Sequence, residues 1–176
     1  MYSSFNKDCH PDFVSKRKMS DFEYIEPEEL KARIEQQDDS FHIVDVRDYD
    51  YGSGYIKTPS SSQYHHIPID DFTTKAGLEL ARSIIVSSSE EKDSAVSPRE
   101  HDVIFHCFYS QQRGPSAALI MLEAIEGDEV LSSALNVKVL RGGWGKWNAR
   151  FYKNEAFIVP LPSSDEESTS SDEDDE

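Results

Sequence analysis

Two residues whose types fit covalent chemistry, Cys107 and Arg113, stand with five residues between them in the run His106-Cys107-Phe108-Tyr109-Ser110-Gln111-Gln112-Arg113-Gly114-Pro115. A cysteine thiolate is a nucleophile, and a guanidinium can grip two oxygens of a tetrahedral anion through its planar fork of N–H donors. At this spacing the chain can curl so that the backbone amides of Phe108, Tyr109, Ser110, Gln111, Gln112 and Arg113 converge on one centre, an anion nest. Gly114 permits a sharp turn, and Pro115 is tolerated in a first helical turn, where its missing N–H would be unpaired anyway. The chemistry expected is attack by the Cys107 thiolate on a bound oxyanion, with the nest and Arg113 stabilising first the thiolate and then the transition state. Ser110 is expected to hydrogen-bond the sulfur and help it leave in a second step. His106 is expected to order the loop from behind rather than to titrate in catalysis. A plain buried cysteine is the competing reading. It does not account for a Gly-Pro pair directly after the arginine, at a strand-to-helix junction.

That junction follows from the flanks. Val103-Ile104-Phe105 reads as a strand running into His106-Cys107, and Ala117, Ile120, Met121 and Ala124 recur at helical spacing after the loop. The positive end of that helix points at the same centre as the amides. Elsewhere, Glu23-Tyr24-Ile25 suits a short strand, and Pro27, Glu28 and Glu29 suit the first turn of a helix with Leu30 and Ile34 inward. Phe41 to Val46 has the β-branched and aromatic composition of a buried strand. Asp45 and Arg47 at its end form a charged pair that either supports the loop or is an ordinary ion pair; Asp45 as general acid is the weaker reading. Asp48 to Pro59 reads as a loop and Tyr64 to Pro68 as a short strand. A helix is expected from about Thr73 with Leu78, Ala81 and Ile85 inward, then a polar surface connection over Ser87–Glu100. Val137–Leu140 is the last strand, closed by Arg141-Gly142-Gly143. Trp144 and Trp147 begin a short final helix and pack its core side. Strands alternating with helices predict an α/β domain with a central, mostly parallel sheet flanked by helices.

Length and charge bound the rest. The chain has 176 residues, enough for one domain with a real core. Its formal net charge is -16, and eight of the carboxylates fall in the terminal run SSDEESTSSDEDDE. The reading is a flexible arm over 1–19, a catalytic domain over 20–162 and a disordered acidic tail over 163–176. Such acidity argues against nucleic-acid binding, which needs a basic surface. No run of about 20 apolar residues suggests a membrane span. Cys9 and Cys107 make no disulfide framework, which together with the lack of a signal-peptide core predicts an intracellular setting, cytoplasmic or nuclear. Lys16-Arg17-Lys18 is too short to support nuclear import by itself. No metal is expected: His65 and His66 lack further ligands at metal spacing and read as surface residues. Ser164, Ser168, Thr169, Ser170 and Ser171 among the tail's carboxylates suit an acidophilic kinase, although a purely solubilising tail is as good a reading.

The run HCFYSQQRGP resembles the active-site loop of the M-phase inducer dual-specificity phosphatases, with Tyr109 in place of the family's phenylalanine. The same loop type occurs in the related eukaryotic arsenate reductases. IVDVRDYDYGSGYI at Ile43–Ile56 and VLRGGWGKW at Val139–Trp147 are similar to the wider rhodanese superfamily, so the likeness spans about Ser20 to Pro162. It implies a rhodanese-like fold and a cysteinyl-phosphate intermediate on Cys107. The phosphatase likeness implies hydrolysis of phosphotyrosine, with dual specificity as an extension, on a phosphorylated protein or small oxyanion and with no cofactor. The reductase likeness implies arsenate reduction with glutathione and glutaredoxin as external reductants. Sulfur-transferring rhodaneses have a shorter loop, which ranks sulfur transfer third, alongside a phospho-binding module without turnover. Two departures stand out. Phe108 and Gln112 occupy positions where the inducers carry glutamates considered as proton donors. Val46 occupies the position of a second cysteine, so peroxide should oxidise Cys107 without an internal disulfide.

Overall fold

The computed structural model describes residues 22–89 and 100–161. The N-terminal arm with Cys9, the acidic tail and most of the expected 87–100 connection lie outside the described residues. In chain order the elements are β1 (Glu23–Ile25), α1 (Pro27–Glu35), β2 (Phe41–Asp45), β3 (Tyr55–Ile56), a 3-10 turn (Ser61–Gln63), β4 (Tyr64–His66), α2 (Thr74–Ser89), β5 (His101–His106), α3 (Arg113–Ile125), α4 (Glu129–Ala134), β6 (Leu135–Leu140), α5 (Gly143–Phe151) and β7 (Ile158–Val159).

Five strands form one sheet in the order β1-β6-β5-β2-β4, every pairing parallel. Strands β2 and β5 are buried along their whole length, as a parallel sheet covered on both faces requires. Alternation divides the core in two. Val44, Val46, Val103, Phe105, Val137 and Val139 face one way, into a cluster completed by Ala81 and Ile84 of α2, Ala117 and Met121 of α3 and Leu131 of α4. Ile43, Ile104 and Leu140 face the other way, against Leu30 and Ile34 of α1 and Trp144 and Trp147 of α5. The expected layered α/β fold is the fold observed, and both tryptophans are fully buried.

Three expectations shift. Strands β5 and β6 are each longer than the apolar runs that announced them. Helix α2 continues to Ser89, so the connection begins later than Ser87. Its inward stripe is Gly77, Leu80, Ala81 and Ile84, while Leu78 and Ile85 are only half-buried beside it. The reason is close approach to α3: a Cβ on Gly77 would lie 3.2 Å from the Ala124 Cβ and 3.6 Å from the Met121 sulfur. The Cα-bare side of α2 therefore turns inward. Because the sheet is parallel, β2 and β5 end side by side, tied by Val46 N–H donating to the His106 carbonyl at 2.9 Å. Open parallel sheets place ligand sites at this carboxyl edge.

Candidate active site

The loop from Cys107 to Gln112 leaves β5 at that edge and enters α3. Two backbone contacts with α5 fix its shape: Trp144 N–H donates to the Cys107 carbonyl at 2.9 Å and Gly145 N–H to the Phe108 carbonyl at 2.8 Å. With both carbonyls held from behind, the amides that follow are free to turn to the open side. Ser110 N–H points at the Cys107 sulfur at 3.2 Å, and Ser110 is left-handed with φ of 51°. The Ser110 hydroxyl oxygen accepts from Cys107 N–H at 3.4 Å. The amide of Ser110, not the expected hydroxyl, is therefore its contact with the sulfur. Cys107 is buried at 3% exposure, with only a narrow face open to solvent. Gln111 and Gln112 are exposed, and the Gln112 carbonyl accepts the first N–H bond of α3, from Ser116.

Arg113 opens α3, and its guanidinium is already engaged. Nη1 donates to Asp48 Oδ1 at 2.7 Å and to Asp50 Oδ1 at 2.9 Å, while Nη2 donates to Asp50 Oδ2 at 2.5 Å. Hydrogen bonding to Asp50 raises the Arg113 pKa further, against the opposing effect of burial. Burial favours the neutral form of Asp50, but the bonds from Arg113 outweigh it and lower its pKa. The loop reading of residues 48–59 missed both aspartates. Their signal was present, an Asp-Tyr-Asp run directly after Asp45-x-Arg47, but their partner lies 63 and 65 residues away. Two aromatic rings line the mouth: Tyr49, 92% exposed with its ring 5.7 Å from the Arg113 guanidinium, and Tyr109, 63% exposed and edge-on to Phe108.

Beneath the loop, Asp45 and Arg47 form a fully buried pair. Arg47 Nε donates to both Asp45 carboxylate oxygens at 2.9 Å, Nη2 donates to Asp45 Oδ2 at 2.5 Å and to the Gly54 carbonyl at 2.8 Å. The guanidinium also lies 4.6 Å from the Trp144 ring and 4.9 Å from Tyr51. Burial pushes Asp45 towards neutrality, yet His106, Arg47 and the Tyr64 hydroxyl outweigh it and hold its pKa at about 2. With its carboxylate taken by Arg47 and the Tyr64 hydroxyl, Asp45 is placed as a supporting partner of Arg47 rather than as a general acid. His106 is fully buried; its Nδ1 lies 3.3 Å from the Cys107 carbonyl and its Nε2 3.6 Å from Asp45. Burial lowers its pKa, with Asp45 opposing. It stands behind the loop, between β2 and Cys107.

The two histidines read as surface residues are both engaged. His66, exposed, stacks on Tyr51 at 3.7 Å, and a ring nitrogen lies 2.9 Å from the Arg47 carbonyl. His65 is half-buried with its Nε2 3.2 Å from His42 Nδ1, which corrects the surface reading for that residue. Among the described residues, no group of three or more His, Cys, Asp or Glu side chains is placed to hold a metal ion. Val46 belongs to the same apolar core cluster as Cys107. No helix is long and apolar enough to cross a membrane, among the described residues.

A cysteine seated in such a loop, at the carboxyl edge of this sheet, defines a class, and sequence comparison assigns it: residues 26–150 match the rhodanese-like domain, and the chain belongs to that family. It is 30% identical over 154 residues to the dual specificity phosphatase ibp1 of Schizosaccharomyces pombe, covering 80% of this chain and 98% of that one. Among solved structures it resembles Ygr203w, a yeast protein tyrosine phosphatase of the rhodanese family, with TM-score 0.66 and 28% identity over 78% of this chain and 92% of that one. It also resembles the As-Sb reductase of Leishmania major, with TM-score 0.62 and 25% identity over 81% of this chain and 88% of that one. These relatives make the chain a cysteine-based enzyme of the phosphatase or reductase kind.

Proposed function

We propose that the chain is a cysteine-dependent phosphatase that hydrolyses phosphotyrosine, with dual specificity as its extension. The observation that carries this reading is the Cys107 sulfur held under the Ser110 amide, with Arg113 at the far end of the same short loop. The Cys107 thiolate attacks phosphorus as the ester oxygen leaves with its electron pair, giving a cysteinyl phosphate. Water then attacks the phosphorus, the S–P bond breaks, and inorganic phosphate and the thiolate are released. Arg113 follows the oxygen charge through both steps. Phe108 and Gln112 carry no carboxyl proton, which favours a substrate whose leaving group is itself good, and a phenol meets that need better than an aliphatic alcohol. The exposed rings of Tyr49 and Tyr109 at the mouth suit an aryl group as well. The reaction needs no resident cofactor, and the substrate is a phosphorylated protein.

Likeness to the Leishmania As-Sb reductase supports a second reading in which the same cradle takes arsenate and glutathione with glutaredoxin reduces it. The deciding experiment compares phosphate release from an aryl phosphate with arsenate reduction under glutathione and glutaredoxin, for wild type and Cys107→Ser. Cys107-dependent phosphate release with little arsenate reduction is the expected result. Efficient arsenate reduction with only trace phosphate release would move the assignment to the reductase.

A further inference from the structure

The contacts of Arg113 carry more than a statement that it is paired. A guanidinium has five N–H donors in a fixed plane. Asp48 and Asp50 take three of them: both on Nη1, and one on Nη2. The two left over are Nε–H and the second Nη2–H, which share one edge of the plane and point the same way. Among the described residues neither donates to a protein acceptor. That edge is itself a bidentate fork, matched to two oxygens of a tetrahedral anion.

We propose that Asp50, assisted by Asp48, is a positioning residue that holds the end of the Arg113 guanidinium so that its Nε/Nη2 edge is presented to the oxyanion. The carboxylates are therefore not competitors that an incoming anion must displace; they remain bound while the other edge is used. Their own placement is fixed from below. Buried Arg47 is bonded to Asp45 on one side of the 48–54 segment and to the Gly54 carbonyl at its end, at 2.8 Å. Within it, Tyr49 N–H donates to Asp48 Oδ1 at 2.7 Å and Tyr51 N–H to the Asp48 carbonyl at 3.2 Å. Orientation thus passes from the buried Asp45–Arg47 pair, through a pinned segment, to Asp48 and Asp50, and from them to the edge of Arg113. The inference rests on the loop binding an oxyanion, and it holds for phosphate and arsenate alike.

Simple charge and positioning predict opposite signs, which makes the test decisive. Removing a nearby negative charge should tighten anion binding if the carboxylates only repel or compete. Removing a positioning group should weaken it. The measurement is calorimetric binding of inorganic phosphate, and separately of arsenate, to the full chain as wild type, Asp50→Asn, Asp50→Glu and Asp48→Asn, with thermal midpoints taken alongside. Asp50→Asn is expected to weaken phosphate binding about tenfold, the size of effect that loss of a charge-assisted bidentate contact produces. Asp48→Asn, which loses a single bond, is expected to weaken it less, and Asp50→Glu to restore most of the loss. Turnover of an aryl phosphate by Asp50→Asn is expected to fall in kcat as well as rise in KM, because the same edge serves the transition state. Binding as tight as wild type, or tighter, in folded Asp50→Asn overturns the proposal. Should that variant fail to fold, Asp48→Asn decides in the same way: weaker binding supports the proposal, and unchanged or tighter binding overturns it. Wild type that binds neither anion removes the oxyanion reading of the loop and this inference with it. An altered Asp50→Asn on a wild type that binds isolates the positioning role.

Discussion

At Gly143 the backbone is left-handed, and a Cβ would lie 2.3 Å from the Cys107 carbonyl oxygen and 2.7 Å from that of Phe108. Both are backbone atoms that cannot swing aside, so Gly143→Ala must push α5 off the loop whose carbonyls it holds. The expected outcome is at least a tenfold loss of Cys107-dependent turnover, about the cost of misplacing reacting groups by an ångström or less. Gly145→Ala, whose Cβ meets only the edge of Phe108 and one carbonyl at 3.1 and 3.3 Å, should lose less. Equal activity of the two variants, assayed on an aryl phosphate, would contradict this account. Arg47 supports the site through charge instead. Arg47→Met leaves the buried Asp45 carboxylate without its principal partner and should lower stability by roughly 3–5 kcal/mol, read as a shift of the urea midpoint. Adding Asp45→Asn should recover part of that loss, since the stranded charge goes with it. The loop that brings Cys107 and Arg113 together was legible because thiol, amides and guanidinium all lie in one contiguous run. The aspartates on Arg113 and the glycine behind Cys107 were not, because each acts on a residue far away in sequence, and spacing says nothing across such gaps.

The same division holds among the elements. Strand β2 and the junction of β5 with α3 were readable because buried parallel strands carry short continuous apolar runs and helix starts carry Gly and Pro signals. Helix α2 was harder: Leu78, Leu80, Ala81, Ile84, Ile85 and Val86 offer more than one apolar stripe, and the choice falls to Gly77, where α3 comes closest. The sheet also gathers a group that no single strand announces. His42 of β2, His65 of β4 and His101 of β5 come together, with ring centroids 5.4 Å apart for His42–His65 and 5.7 Å for His42–His101. Burial, then the neighbouring rings of His65 and His101, lowers the pKa of His42 to about 4, and burial lowers that of His65. Both groups are harder to protonate folded than unfolded, so the unfolded chain binds more protons below the ordinary histidine value. Stability is therefore fully present above pH ~6.5 and is lost as pH falls towards the folded pKa of His42. His42 alone accounts for roughly 3 kcal/mol across that window. Urea midpoints measured from pH 7 to pH 4 should fall accordingly, and His42→Gln should flatten the slope. A slope unchanged in that variant would show that the cluster does not control acid stability.

Over the whole molecule the charge is -16, and half of it belongs to the segment after Pro162. The last described strand, β7, pairs with β3, and the Val159 carbonyl passes so close to Gly54 that a Cβ there would lie 2.6 Å from it. In sequence the acidic run follows soon after Val159, which itself lies beside the 48–54 segment that holds Arg113, while the substrate proposed for the site is an anion. Repulsion between them should act through KM and be screened by salt, since the Debye length shrinks from about 30 Å at 0.01 M to about 8 Å at 0.15 M. For the full chain, kcat/KM on an anionic aryl phosphate is expected to rise about threefold over that range, the direction set by repulsion between like charges. A chain truncated after Pro162 should start higher at low salt and converge with the full chain at 0.15 M. Phosphorylation of Ser164, Ser168, Thr169, Ser170 or Ser171 by an acidophilic kinase would add about -1.5 to -2 per site and steepen the dependence. Parallel salt profiles for the full and truncated chains would mean that the tail's charge is not felt at Cys107. Converging profiles would mean that the tail's charge tunes access of anions to the loop between Cys107 and Arg113.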